Sequence, residues 1–159
     1  MADDPSGLDR DIDAGPHLWS TLGYRRLDWS AGSTTLEWDA TAEYGFPTKG
    51  GHVIQGGLVT ALLDAAMGGA CWSVLDDDQA FLTADLRVEF LRSTRVGTVR
   101  ATGTVVRRTR RVVFCEAQLF DDGGQLLAAS RCTQVVLPAE APGGRAEPPG
   151  DTPPQDARG

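Results

Sequence analysis

Asp64 is the residue whose surroundings most need a chemical explanation. It lies within a run from Leu58 to Cys71 that is otherwise apolar or small, Thr60 apart. An ionised carboxylate among such neighbours costs several kcal/mol unless it is paired or faces a wet cavity. Either Asp64 is hydrogen-bonded to a neighbouring strand or subunit, or it is a functional carboxylate, because strained ionisable groups cluster at sites. In the second case it can take a proton from water or attack a carbonyl carbon itself. Thr60, one turn earlier on the same helix face, either orients that carboxylate or bonds back to its own backbone.

Gln55-Gly56-Gly57 opens the same run. A helix start leaves unpaired N–H groups and a partial positive charge, which suit a developing oxyanion, and glycine lets a ligand come close to the backbone. A plain Gly-Gly turn that begins a helix is the competing reading. Lys49 and His52 lie in the loop just before it. A second group, Arg107-Arg108-Thr109-Arg110-Arg111 with Arg92 and Arg95, offers guanidinium forks that match phosphate oxygens. The alternative there is a solvated hairpin turn that guards a sheet edge with charge.

These groups need a framework to hold them. The length and apolar composition of the run predict a buried helix from about Gly57 to Leu75. Before it, residues 24–29 and 33–42 alternate as strands do, and the segment 44–51 is rich in turn formers. After the acidic turn Asp76-Asp77-Asp78, segments 80–91, 98–107, 111–120 and 125–137 are rich in Val, Leu, Phe and Thr. Short turns separate the last three, which predicts an antiparallel meander. A helix apolar on nearly all sides must be covered on nearly all sides, so the economical packing is an α+β fold with an antiparallel sheet around one long central helix.

The 159 residues and 41% apolar content suit one domain with an ordinary core. The organisation expected is an N-terminal arm over 1–20 with a short helix, a domain over 21–137, and a disordered Pro/Gly-rich tail over 138–159. A formal charge of -7 argues against general affinity for nucleic acid or an anionic membrane. Cys71, Cys115 and Cys132 are odd in number and lie in interior-type segments, so reduced buried thiols are expected, with neither a disulfide framework nor a metal site. No cofactor is implied. With no secretory start and no window of ~18 apolar residues, a cytoplasmic location is expected.

The Gln-Gly-Gly opening, the Asp seven residues after the second Gly, and the strand Thr83-Ala84-Asp85-Leu86-Arg87-Val88-Glu89-Phe90 resemble the PaaI-like hotdog-fold thioesterases. Leu91-Arg92-Ser93, Val96-Gly97 and the turn from Asp121 to Ala128 fit as well, so the resemblance covers about residues 33–137. It implies a hotdog fold and hydrolysis of an acyl-CoA thioester. It further implies Gly56 as the oxyanion donor, Asp64 as base or nucleophile, and Thr83 as the holder of the water. Gly57, Thr60, Lys49, His52, Arg92, Arg108 and Arg110 are the substrate-binding candidates, the arginines for the CoA phosphates.

The family pairs sheets edge to edge, which implies a homo-oligomer, a dimer or a dimer of dimers, with Gly56 of one chain facing Asp64 and Thr83 of another. Two departures stand out. Gln55 replaces the family's motif histidine, keeping a donor but losing a group that titrates near neutrality. Lys49 stands where several members carry Asn, with His52 placed to compensate.

Two rivals share the fold. A dehydratase or hydratase resembles a His-Phe-Pro loop with a helix glutamate, or an aspartate followed five residues later by histidine, and this chain has Gly45 before Phe46-Pro47 and Gly69 five residues after Asp64. A non-catalytic acyl-CoA binding or sensing module is favoured by loss of the motif histidine and opposed by Asp64 with Thr83.

Overall fold

The computed structural model describes residues 17–139, so most of the expected N-terminal arm and nearly all of the expected tail lie outside the described residues. Helix α1 (His17–Leu22) leads into β1 (Arg25–Ser30) and β2 (Ser33–Ala40), which form a hairpin. A 3-10 turn, Ala42–Tyr44, precedes β3 (Gly45–Thr48) and β4 (Gly51–Ile54). The central helix α2 (Gly56–Trp72) follows, then β5 (Gln79–Phe90), β6 (Gly97–Arg108), β7 (Val112–Asp121) and β8 (Leu126–Pro138). Six strands form one antiparallel sheet in the order β1-β2-β6-β7-β8-β5. This is the α+β hotdog architecture, with α2 lying across the inner face of the sheet.

Alternation sets that inner face. Thr34, Leu36, Trp38 and Ala40 of β2 are buried, as are Val113, Cys115, Ala117 and Leu119 of β7, and the residues between them face outward. The helix answers with Val59, Leu62, Leu63, Ala66, Met67, Ala70 and Cys71, an apolar stripe at helical spacing. Two glycines allow the layers to meet. A Cβ on Gly103 of β6 would fall 2.4 Å from the backbone of Ala66, and one on Gly69 of α2 would fall 2.9 Å from the Thr34 side chain. At the sheet's end Trp38 donates its indole N–H to the Leu22 carbonyl at 2.8 Å, anchoring α1. On the outer face Arg25 and Arg100 both hold Glu37 at 2.7 Å, and their hydrogen bonds keep its carboxyl below the usual range.

Three local features differ from the sequence reading. The helix stops at Trp72 instead of running to Leu75, because Val74 and Leu75 bond three residues back, to Cys71 and Trp72. That tightens the last turn while both side chains still pack on the core. The turn-rich segment is itself a β3–β4 hairpin turning at Lys49-Gly50, and Pro47 is tolerated because the ribbon has only two strands. In β5 the register shifts between Thr83 and Asp85. Ala84 is the extra residue of a bulge, so the inward side changes from Phe81 and Thr83 to Leu86 and Val88.

Candidate active site

The β3–β4 hairpin delivers the chain to the helix start. Ile54 donates to the Thr94 carbonyl at 2.8 Å and Gln55 donates to the Tyr44 carbonyl at 3.0 Å, which fixes both sides of the entry. Gln55 has extended backbone angles and its carbonyl accepts from Leu58 and Val59, so the helix begins at Gly56. Among the described residues the N–H groups of Gly56 and Gly57 have no hydrogen-bond partner. They point out of the helix with the positive end of its dipole, as anion donors do. The Phe90 ring covers Gly56 so closely that a Cβ there would meet it at 3.2 Å. The exposed Gln55 amide lies beside Gly57.

Two turns along, Asp64 is half-buried, and its Oδ1 lies 3.1 Å from the Thr83 hydroxyl of β5. No basic side chain pairs with it among the described residues. Behind Thr83, directly across the β5–β8 register, the fully buried Gln134 brings its Oε1 to 2.9 Å from the same hydroxyl. The Gln134 Nε2 lies 3.2 Å from Cys132 Sγ. Cys132 and Cys115 are cross-strand neighbours, and Cys71 of the helix completes a buried group of free thiols. Bonding to Cys115, burial and the nearby Asp64 charge all push the Cys132 thiol upward. For Cys115 the bond to Cys132 pulls down, but Cys71 and burial prevail and raise it to about 12.

The remaining candidates fall in separate places. Thr60 donates to the Gly56 carbonyl at 2.9 Å, so its proton serves its own helix and not Asp64. Lys49 is exposed at the hairpin turn, and His52 sits half-buried on β4 opposite Pro47. The arginines divide between the two ends of α2, which is ~25 Å long at 1.5 Å per residue. Near the helix start, Arg92 donates to the Leu126 carbonyl at 2.9 Å and Arg95 to the Gly50 carbonyl at 2.8 Å. Beyond the helix end, Arg108 bonds Asp76, Gln79 and the Val74 carbonyl, while Arg110 is exposed. Sequence reasoning missed Gln134 and Phe90. The available signal for Gln134 was a polar residue on the inward side of β8, between Cys132 and Val136.

A carboxylate touching a strand hydroxyl, on a central helix with a donor-rich glycine start, is thus held within a hotdog domain. The family model described as the Thioesterase superfamily matches residues 51–128, and the chain is similar to that family over this span. A curated relative, "Putative esterase ComA2" of Bacillus subtilis (strain 168), is 27% identical over 85 residues, 53% of this chain and 68% of that protein. Among solved structures, a protein from Ralstonia eutropha JMP134 named "putative thioesterase, phenylacetic acid degradation-related protein" is 29% identical. It has a TM-score of 0.69 and covers 76% of this chain and 89% of that one. The E. coli PaaI protein from the phenylacetic acid degradation operon shares the fold at 19% identity. Its TM-score is 0.72, with 79% of this chain and 88% of that one covered.

Proposed function

We propose that this chain hydrolyses an acyl-CoA thioester to the free acid and CoA, with Asp64 as general base or nucleophile. The observation that carries the reading is the 3.1 Å contact between Thr83 and a half-buried Asp64 with no cation partner. As a base, Asp64 takes a proton from a water held by Thr83, and the water oxygen bonds to the thioester carbon. The carbonyl electrons move onto oxygen, which the Gly56 N–H stabilises, with Gln55 as a second donor. Collapse restores the carbonyl and breaks the C–S bond, and the CoA sulfur leaves with the electron pair and takes up a proton. As a nucleophile, Asp64 forms the first bond itself and water then cleaves the anhydride.

Gly56 and Asp64 are eight residues apart on one helix, ~12 Å along its axis. A donor must lie ~3 Å from the oxyanion, so one chain's pair does not serve a single carbonyl. A second copy supplies the missing half. β5 is a terminal strand of twelve residues, whereas the opposite edge, β1, has six and carries Arg25 and Arg26. A long edge strand is a liability unless it is paired. Antiparallel pairing of two β5 strands about a two-fold axis at Arg87, with the extra residue Ala84 taken up by its bulge, sets Phe90 of one opposite Thr83 of the other. Phe90 lies on Gly56 and Thr83 on Asp64, so this register brings the two halves together.

The assembly proposed is a dimer or a dimer of dimers, acting in the cytoplasm. Arg92, Arg110, Lys49 and His52 remain available around it for the CoA phosphates and pantetheine, whereas Arg108 is held by Asp76.

The test is thiol release over a panel of arylacetyl, medium-chain and long-chain acyl-CoAs, with Asp64→Asn beside the wild type. Asn keeps the volume and the acceptor for Thr83 but lacks the charge and the basic lone pair. Turnover is expected to fall on the order of 10² to 10⁴ while affinity persists. Hydrolysis by the variant near the wild-type rate refutes the assignment. Binding without thiol release by the wild type makes the chain a non-catalytic module.

A further inference from the structure

We propose that Gln134 is a positioning residue for this reaction, its buried side-chain amide setting where the Thr83 hydroxyl sends its single proton. The inference rests on the hydrolase reading above and deepens it.

An amide taken wholly out of water costs free energy unless both its ends are satisfied. Gln134 is fully buried, and its side-chain ends meet two groups, Thr83 at 2.9 Å and Cys132 at 3.2 Å. Thr83 has one proton and two acceptors within reach, Asp64 Oδ1 at 3.1 Å and the Gln134 oxygen. Only one can receive it at a time.

Two consistent arrangements of these three contacts exist. With Asp64 ionised, a half-turn of the amide lets Cys132 S–H donate to Oε1 and Nε2–H donate to Thr83 Oγ1, and the threonine proton then points at the carboxylate. With Asp64 protonated, every bond reverses. Asp64 donates to Thr83, Thr83 donates to Oε1, and Nε2–H donates to Cys132 Sγ. In both arrangements each of the three contacts pairs one donor with one acceptor. A base passes through both protonation states in each turnover, and an amide serves both because it presents a donor and an acceptor at equal reach. The raised Cys132 thiol, which keeps its proton, is the partner this scheme requires.

The register supports the assignment independently. Thr83 and Gln134 are direct cross-strand partners, and the bulge at Ala84 lies immediately after Thr83. Bulges of this kind re-aim a side chain beside a site.

The experiment compares the wild type, Asp64→Asn, Gln134→Met and Gln134→Glu in the thiol-release assay, with melting temperature to confirm folding. Met keeps the volume with no donor and only a weak thioether acceptor, and Glu keeps the shape and an acceptor without the amide donor. Should Met not fold, the isosteric Glu carries the test. In either folded variant kcat is expected to fall about tenfold or more, with KM within about twofold, because a misdirected hydroxyl acts on the transition state rather than on binding. Adding Gln134→Met to Thr83→Val is expected to lower kcat no further than Thr83→Val alone, while Thr83→Ser retains most of the rate. Wild-type kcat in a folded Gln134 variant, or a rise in KM at unchanged kcat, overturns the inference while the loss in Asp64→Asn leaves the hydrolase reading standing. Absence of thiol release by the wild type overturns both.

Discussion

The ~12 Å that separates Gly56 from Asp64 along α2 leads to a test of where the site is built. Gly56→Pro removes the N–H in question and little else. Gly56 is the first helical residue, where proline's missing donor and fixed φ are tolerated, and Gln55 already has the extended backbone that precedes proline. The added ring atoms approach the Phe90 ring, so melting temperature and sedimentation are used to verify that the variant folds and pairs. Asp64→Asn disables the other half. Each variant alone is expected to be nearly inactive. Unfolding an equimolar mixture and refolding it makes half of the dimers mixed. In each mixed dimer one site combines an intact Gly56 with an intact Asp64 from the other chain, and the second site has neither. Half the dimers with half their sites working is about a quarter of wild-type activity, read by thiol release. If both groups served one carbonyl within a single chain, the mixture would hold no intact site. Recovery of no more than a few per cent, with mixed dimers verified by differential tagging, refutes the shared-site argument.

Two further expectations follow from the ionisable groups. Glu37 is held below its unfolded range by Arg25 and Arg100, so its contribution is present above that range and is lost as pH falls through its folded value. Between about pH 5 and 3 the wild type should lose melting temperature faster than Glu37→Gln, and parallel curves refute this. The thiols of Cys71, Cys115 and Cys132 are buried, with Cys115 raised to about 12, so a disulfide reagent at pH 8 should modify them only on unfolding, whereas rapid labelling of folded protein contradicts the packing.

Much of this was legible from periodicity. Strands β6, β7 and β8 fall within a residue or so of the segments marked by alternation and Gly or Arg turns, because alternation directly reports a half-buried antiparallel strand. Asp64 was legible from the cost of a carboxylate in an apolar helix. What was not legible depended on contacts between distant segments. Thr60 has two acceptors within reach of its hydroxyl, and only the folded geometry shows it bonded to Gly56. The arginines look like one group because their chemistry is alike, yet Arg92 and Arg108 sit at opposite ends of a ~25 Å helix. The hairpin at 45–54 was hidden by glycine and proline, which signal turns more strongly than four-residue strands signal pairing. The bulge at Ala84 breaks the alternation of β5 at the point where the site needs Thr83 turned inward.

The helix that holds Asp64 is weak by composition, and this gives a last test. Gly68 and Gly69 each cost roughly 0.8 to 1 kcal/mol relative to alanine in a helix interior, so Gly69→Ala viewed locally should stabilise. The fold opposes that gain. A Cβ on Gly69 would lie 2.9 Å from both Cγ2 and Oγ1 of Thr34, a fully buried β-branched side chain with little room to give. Overpacking of this kind costs about 1 to 3 kcal/mol, so the clash should outweigh the propensity gain and the variant should lose stability. Thr34→Ala removes the obstructing atoms together with a buried hydroxyl that has no partner among the described residues. Combined with Thr34→Ala, Gly69→Ala should therefore recover its propensity gain and raise stability above that of the Thr34→Ala single variant. The sign of the Gly69→Ala effect should reverse between the two backgrounds, a coupling that a denaturant-melt double-mutant cycle measures directly. If Gly69→Ala stabilises the wild-type background, α2 is not clamped against β2, and the sheet is not what fixes the position of Asp64.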